Sequence, residues 1–137
     1  MPFDLTIVTP RGEAYRGPAE RVILPGAEGQ FGVLTGHERF LTPLNIGAVE
    51  IHTNGEALWA AIADGFAEVT GEQVTVLVES CELAEQIDVA RAELARDRAR
   101  ERLASLEGEA DAARFARYEA ALKRALVRVD VSHKAKR

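Results

Sequence analysis

Residues 74–92 have the sequence VTVLVESCELAEQIDVARA, and the hydrophobic pattern changes within them. From Val74 to Val78 the run is short, apolar and rich in valine, which is typical of a β-strand. From Ile87 onward Ala, Arg, Glu and Leu prevail, and these residues favour α-helix. The change predicts a β-domain over residues 1–84 and a helical domain over residues 85–137.

Upstream of this boundary the chain has the pattern of short strands separated by turns. Phe3, Leu5 and Ile7 alternate with more polar residues, which indicates a strand with one buried face. A strand over residues 20–24 is expected to end at Pro25-Gly26. Asn54-Gly55 predicts a hairpin turn, because both central positions of a type I′ turn require positive φ. Short strands at this spacing favour an antiparallel β-sandwich or flattened barrel.

Downstream of the boundary the pattern predicts two antiparallel helices. Asp88 is a plausible N-cap for a helix over residues 89–106, which is expected to stop near Gly108, and Asp111 could start the second helix. The second helix has a thin apolar stripe, so we expect the hairpin to be held marginally and to detach at modest cost. The stripe consists of Phe115, Tyr118, Leu122, Ala125 and Val129.

Charge is distributed unevenly between the two regions. Residues 1–90 contain four basic and fourteen acidic residues, whereas residues 91–137 contain thirteen basic and eight acidic residues. The formal charges are therefore −10 and +5, which the net charge of −5 conceals. Arginines of the first helix alternate with Glu93, Asp97 and Glu101, a mixture typical of a solvated face. We therefore expect an acidic protein surface as the partner of the helices, and no nucleic acid.

No constellation for catalysis or metal binding is visible. Cys81 stands alone at the end of an apolar strand, so a buried structural thiol is expected, and the three histidines lack metal-ligand spacing. The glycine-rich residues 25–37 lack the Lys-Ser/Thr pair of a phosphate loop, so turns between strands explain them better. Phe31 in that segment is a candidate protruding anchor for protein docking. No apolar stretch reaches the length of a membrane helix. A free cysteine and the lack of a recognised signal peptide favour a reducing, cytoplasmic compartment.

Seven segments match, in order, the motifs of a known family. They are residues 5–10, 25–37, 41–44, 47–49, 65–69, 74–77 and 87–92. Residues 25–37 are similar to the family's PGxEGxFGVLPGH segment, except that Thr35 replaces a proline. Residues 87–92 are similar to its I/L-D-x-x-R-A signature. On these motifs the chain resembles the epsilon subunit of bacterial F-type ATP synthase, which is called delta in mitochondria.

The resemblance implies an α+β protein with an N-terminal antiparallel β-sandwich of about ten strands and a C-terminal α-helical hairpin. It implies a non-catalytic subunit of the central stalk, on the cytoplasmic face of the bacterial plasma membrane. The implied partners are the gamma subunit, the ring of c subunits, and the beta and alpha subunits of the catalytic head. The sandwich would couple proton-driven rotation to ATP synthesis, and the hairpin would block ATP hydrolysis when it extends into the head.

The resemblance also implies two sets of contact residues. Contact with the c-subunit ring would use Glu28, Gly29, Gln30 and Phe31. Some family members bind ATP on the folded hairpin as a regulatory ligand, and no cofactor is otherwise required. Carried across by position, the ATP site would use Glu82, Ile87, Asp88, Arg91, Ala92, Arg98, Arg124 and Arg128. The alternative is that Asp88 only caps the helix and Arg91 only pairs locally.

Two other functional classes stay open on the sequence alone. The first is a free-standing β-sandwich binding module with a helical oligomerisation tail. The second is a small enzyme, for which no convergent polar cluster is found.

Overall fold

The computed structural model describes residues 2–36, 38–106 and 112–135. His37, Gly108 and Asp111 lie outside these residues, and so do the predictions that the first helix stops near Gly108 and that Asp111 starts the second. Over its described residues the β-domain contains ten strands: β1 (Phe3–Thr9), β2 (Gly12–Ala19), β3 (Arg21–Gly26), β4 (Gly29–Leu34), β5 (Phe40–Leu44), β6 (Gly47–Thr53), β7 (Glu56–Ile62), β8 (Gly65–Val69), β9 (Gln73–Val78) and β10 (Cys81–Leu83). A short 3₁₀ helix, Ala84–Gln86, leads to helices α1 (Val89–Ser105) and α2 (Ala112–Ser132).

The strands form one strongly folded sheet in the order β10-β7-β6-β3-β5-β8-β9-β1-β2, with β4 paired to β3. This arrangement confirms the expected sandwich or barrel-like domain. One pair departs from the expected antiparallel pattern, because β1 runs parallel to β9 from Asp4↔Gln73 to Val8↔Leu77. Alternation of apolar residues identifies a strand and its buried face but does not specify the direction of its neighbour.

The core of the sandwich consists of the inward positions of the alternating strands. In β1, Phe3, Leu5 and Ile7 are buried, as their spacing predicts. Similar positions of β3, β6 and β9 pack against them. Because this core is built from strand residues alone, the sandwich does not depend on the helices for its hydrophobic interior.

Two turns show where local sequence determines local geometry. Asn54 and Gly55 have φ values of 53° and 76° between β6 and β7, so the predicted type I′ hairpin is confirmed. The prediction that a strand ends at Pro25-Gly26 was wrong, because β3 continues through both residues. The pairing of β3 with β6 ends at Ile23, so Pro25 need not donate an N–H on that side.

The helices begin and pack largely as their sequences predict. The Asp88 carboxylate accepts a hydrogen bond from the Arg91 backbone N–H at 3.1 Å, so the predicted N-cap is confirmed. The last turns of α2 pack on β6, β7 and the 3₁₀ helix. There a small second core forms from Ala61, Ala84, Ile87, Ala92, Val129 and Val131.

The expected stripe of α2 holds only in part. Ala125 and Val129 are buried, but Phe115 is 48% exposed near the start of the helix, and its assignment to the packed stripe was wrong. Within residues 2–36, 38–106 and 112–135, no helix is long and apolar enough to cross a membrane.

Candidate functional site

A groove of about 370 Å³ lies between α1 and α2, beside the end of the sandwich. Its lining residues are Ser80, Glu82, Ala95, Arg98, Ala99, Arg102, Tyr118, Ala121, Arg124, Ala125 and Arg128. Alanines form its floor, and their small side chains leave room between the two helices. Ala99 and Ala125 are buried, whereas Arg98, Arg102 and Arg124 are exposed, so the groove is apolar inside and positively charged at its opening.

Helical spacing places the four arginines. Arg98 and Arg102 are four residues apart on α1, and Arg124 and Arg128 are four residues apart on α2, so each pair shares a helix face. The two faces meet across the groove. A guanidinium presents several N–H donors in a planar fork that matches the oxygen atoms of a phosphate. The arrangement is suited to binding a polyphosphate between the helices.

The arginines differ in their partners. The Nε atom of Arg128 donates to Oε1 of Glu82 at 2.6 Å, which links α2 to β10. The guanidinium carbon of Arg102 lies 5.7 Å from the centroid of the Tyr118 ring, within the range of a cation–π contact. Among the described residues, Arg98 and Arg124 have no carboxylate within ion-pair distance. Two guanidinium groups are therefore available to an anion without breaking an ion pair.

The structure brings together four of the eight residues assigned to the ATP site by resemblance. Glu82, Arg98, Arg124 and Arg128 line the groove. The other four lie at the start of α1, outside the lining. Ile87 and Ala92 are buried in the second core and Asp88 caps the helix, while Arg91 is exposed. Arg91 lies one turn before Ala95 on the same helix face, so its assignment stays a prediction.

Arg102, Tyr118 and Ser80 also line the groove, and the sequence pattern does not assign them to the site. The i, i+4 spacing of Arg102 from Arg98 indicates that the two share a helix face. The acidic residues beside them instead favour a solvated face, so the spacing alone does not identify a site. The phase of each helix relative to its partner, which the sequence does not give, determines which arginines converge.

The β3–β4 turn carries the residues assigned to c-ring contact. Glu28, Gly29 and Gln30 are exposed, and Gly29 has a φ of 131°, which favours glycine. Phe31 does not protrude, so the prediction of an exposed anchor was wrong. Its ring packs edge-on to Phe40, with centroids 5.9 Å apart, and is half-buried against the core. The turn therefore presents a carboxylate and an amide with a partly buried ring beside them, and the assignment of these four residues to c-ring contact stays a prediction.

A row of apolar residues crosses the outer face of another part of the sheet. Pro43 of β5 lies opposite Phe66 of β8, which lies opposite Leu77 of β9. Phe66 is 51% exposed and Leu77 is 49% exposed. Leu41, two residues before Pro43 on the same face, is 67% exposed. We call these four residues the apolar row. Exposed apolar residues at adjacent strand positions are typical of a protein interface.

The remaining reactive groups do not form a site. Burial, followed by the charge of Glu82, raises the pKa of the Cys81 thiol to about 11, so the thiol is protonated near neutral pH. Cys81 is partly rather than fully buried. His52 contacts Glu50, with Nε2 and Oε2 2.8 Å apart. In the part of the chain that the structure describes, no three His, Cys, Asp or Glu residues are grouped to hold a metal ion.

Comparison with known families agrees with both halves of the fold. The model of the ATP synthase Delta/Epsilon chain β-sandwich domain matches residues 2–84, and that of the long α-helix domain matches residues 85–133. The chain belongs to the ATP synthase delta/epsilon family. A member of this family is a non-catalytic subunit of the ATP synthase complex, so a free-standing binding module or a small enzyme is no longer the better interpretation.

Individual relatives span nearly the whole chain. The ATP synthase epsilon chain of Nitratidesulfovibrio vulgaris strain DP4 is 45% identical over 129 residues, covering 94% of each chain. That of Bacillus cytotoxicus is 41% identical over 131 residues, covering 96% of each.

Two solved assemblies contain similar chains. One is the Euglena gracilis mitochondrial ATP synthase, OSCP/F1/c-ring in rotational state 1, with a TM-score of 0.75 and 26% identity over 89% of this delta/epsilon chain and 76% of that chain. The other is the central stalk/c-ring of Tetrahymena thermophila mitochondrial ATP synthase, with a TM-score of 0.65. At 11% identity over 95% of this chain and 96% of that one, it supports the fold alone.

Proposed function

We propose that this chain is a central-stalk subunit that couples proton-driven rotation to ATP synthesis and that restrains ATP hydrolysis through its helical hairpin. ATP bound between α1 and α2 would favour the docked form of the hairpin. The partners would be the gamma subunit, the c-subunit ring, and the beta and alpha subunits of the head. The chain would lie on the cytoplasmic face of the bacterial plasma membrane, held there by the complex.

The ATP-sensing part of the proposal depends on the groove between α1 and α2 that is lined by Arg98, Arg102, Arg124 and Arg128, which we call the arginine groove. Four guanidinium groups face one carboxylate across a space of about 370 Å³. Like charges on the two helices repel each other when the groove is empty, and a polyphosphate would remove that repulsion. Binding to residues of both helices would also stabilise the hairpin as a unit, because a ligand shifts the equilibrium toward the state it binds better.

The hairpin has the properties expected of a detachable inhibitory element. Half of the buried apolar residues described in α1 and α2 and at the end of α1 are alanines, Ala92, Ala99 and Ala125, while Leu94 and Leu126 stay exposed. Each alanine buries little apolar area, so docking depends on a few contacts. The positive charge of residues 91–137 would then favour acidic surfaces in the catalytic head.

The sandwich offers separate surfaces for the rotor partners. The apolar row crosses β5, β8 and β9, whereas the helices pack on β6 and β7, so a docked hairpin leaves the row available. We assign the row to the gamma subunit. The exposed Glu28 and Gln30 suit the polar loops of the c-subunit ring. The Euglena assembly, which contains F1 and the c-ring, supports these partners.

Isothermal titration of the full chain with Mg-free ATP tests the nucleotide site. A charge-assisted hydrogen bond contributes about 1.5–3 kcal/mol, and the exposed groove favours the lower value. Arg98→Gln and Arg124→Gln should therefore each lower ATP affinity about tenfold. Arg100→Gln is the matched control, since Arg100 is exposed on the opposite face of α1 from Arg98.

Two results would contradict the site. The first is the absence of binding heat at millimolar ATP. The second is an equal loss of affinity in the Arg98 and Arg100 variants, which would mean that only general charge attracts the nucleotide. Arg91→Gln in the same series tests the remaining arginine of the family signature.

A further inference from the structure

A second groove, of about 380 Å³, lies where the C-terminal end of α2 meets the sandwich. Its lining residues are Glu56, Ala57, Leu58, Trp59, Leu83, Ala84, Glu85, Lys134 and Ala135. It shares no lining residue with the arginine groove. Any role in holding the hairpin is therefore physically separate from the nucleotide site.

Trp59 forms the aromatic wall of this groove. It lies on β7 and packs against the small second core that joins the sandwich to α2. The ammonium nitrogen of Lys134 lies 4.8 Å from the centroid of the Trp59 ring. This distance is within the range of a cation–π contact, for which tryptophan is the strongest aromatic partner. Glu56 and Glu85 line the same groove and favour a positive charge there.

Backbone hydrogen bonds link the turn that contains Lys134 to the buried part of α2. Its backbone N–H donates to the carbonyl oxygen of Val131 at 2.8 Å, and the N–H of His133 donates to that of Val129 at 3.3 Å. Val129 and Val131 are both buried in the second core. A contact made by Lys134 therefore restrains the turn that carries these valines, and through them the docked end of the helix.

We propose that the second groove, with its Trp59 ring and two glutamates, is a binding site for the Lys134 ammonium group. This contact, which we call the Lys134 clasp, controls how often the hairpin leaves the sandwich. Among the described residues, the hairpin and the sandwich are also joined by the Arg128–Glu82 ion pair, which lies inside the arginine groove, where an anion would compete for Arg128. The Lys134 clasp lies outside it and holds α2 whether or not the groove is filled. The clasp concerns the ligand-free chain, and only its consequence for inhibition rests on the proposed function.

The chain contains a single tryptophan, so Trp59 fluorescence reports on the clasp without a label. The experiment uses the full chain without nucleotide and measures two quantities. The first is quenching of Trp59 by acrylamide, and the second is amide hydrogen exchange at Val129 and Val131. Lys134→Met removes the charge and leaves an unbranched side chain one atom shorter, whereas Lys134→Arg keeps the charge. Lys123→Met is the matched control, because Lys123 is exposed earlier on α2 and lines neither groove.

We expect Lys134→Met to increase acrylamide quenching and to accelerate exchange at Val129 and Val131 by about two- to fivefold, as expected for an exposed cation–π contact. Lys134→Arg and Lys123→Met should stay close to the parent chain. Unchanged exchange in Lys134→Met would overturn the proposal. Acceleration confined to residues after Ser132 would overturn it as well, because the last turn would then fray without releasing the helix.

Titration of the same variants with ATP separates this proposal from the proposed function. Lys134→Met should still bind ATP, because Lys134 does not line the arginine groove. If no variant binds ATP, the nucleotide site fails while the exchange result still tests the clasp. If ATP binds normally but Lys134→Met has no effect on exchange, the clasp alone is refuted.

Discussion

Replacing Arg128 with glutamine should loosen the helical hairpin in the absence of any ligand. Arg128 on α2 and Glu82 on β10 are 46 residues apart in sequence, and their side chains meet at 2.6 Å. Within the part of the chain that is described, theirs is the ion pair that joins the hairpin to the sandwich. Its loss should raise the population of the detached hairpin without changing the sandwich.

The exposure of the pair sets the size of the effect. The side chains of Arg128 and Glu82 are 26% and 37% exposed, so the pair is neither fully solvated nor buried. Exposed pairs contribute about 0.2–1 kcal/mol, whereas breaking a buried pair costs about 3–5 kcal/mol. We expect about 1 kcal/mol, which corresponds to an increase of about fivefold in hairpin opening.

A double-mutant cycle measured by native-state hydrogen exchange tests this value. The cycle uses Glu82→Gln, Arg128→Gln and the double variant, and it follows the amide of buried Val129. Arg124→Gln is the matched control, because Arg124 lies one turn earlier and has no described carboxylate partner. The Glu82–Arg128 coupling should be about 1 kcal/mol at low salt and should shrink toward 1 M salt, where the Debye length is about 3 Å.

A coupling energy near zero at low salt would show that the Arg128–Glu82 pair does not hold the hairpin. Equal coupling of Glu82 to Arg124 and to Arg128 would contradict a specific pair, since the effect would then come from the general field of the groove. A coupling that does not change with salt would contradict an electrostatic origin.

The sandwich gives three further predictions. Gly65→Ala should destabilise the chain by about 3 kcal/mol in urea unfolding. The reason is that an added Cβ would overlap the Leu77 carbonyl oxygen and lie 2.7 Å from the Val78 Cα. Gly71→Ala, which has open space around it, should be nearly neutral. Phe66→Ser should weaken co-purification with the gamma subunit while changing stability little, since the ring is half exposed; unchanged co-purification would remove the apolar row from that interface. Alkylation of Cys81 should be slow at pH 8 and accelerate toward pH 11. The free energy of unfolding should fall as pH rises from 9 to about 11, because the Cys81 thiol of the unfolded chain loses its proton first. Fast alkylation at pH 8 would contradict the raised pKa.

Local patterns predicted the elements whose geometry depends on adjacent residues. The turn at Asn54-Gly55 and the N-cap at Asp88 were predictable because each follows from the chemistry of two to four consecutive residues. The buried face of β1 was predictable because alternation needs only one side of the strand to meet a core. These features required no knowledge of the partner element.

Features that depend on long-range partners were not predictable. The parallel pairing of β1 with β9 depends on how the whole sheet folds back on itself. Phe31 was expected to protrude, but Phe40 lies where its ring can pack, and only the fold brings the two together. The place of Arg102 in the candidate site was not predictable either. Its position opposite α2 depends on the rotation of each helix about its own axis, which the sequence does not specify.

ATP hydrolysis by the assembled catalytic head tests whether the hairpin restrains the enzyme. The head is compared with the full chain and with a chain that ends at Ala84, which retains all strands of the sandwich and its separate core. We predict faster hydrolysis with the shortened chain at low salt, equal recovery of the gamma subunit with both chains, and a smaller difference as salt is added. Equal hydrolysis rates with both chains bound would contradict a restraining role for the hairpin.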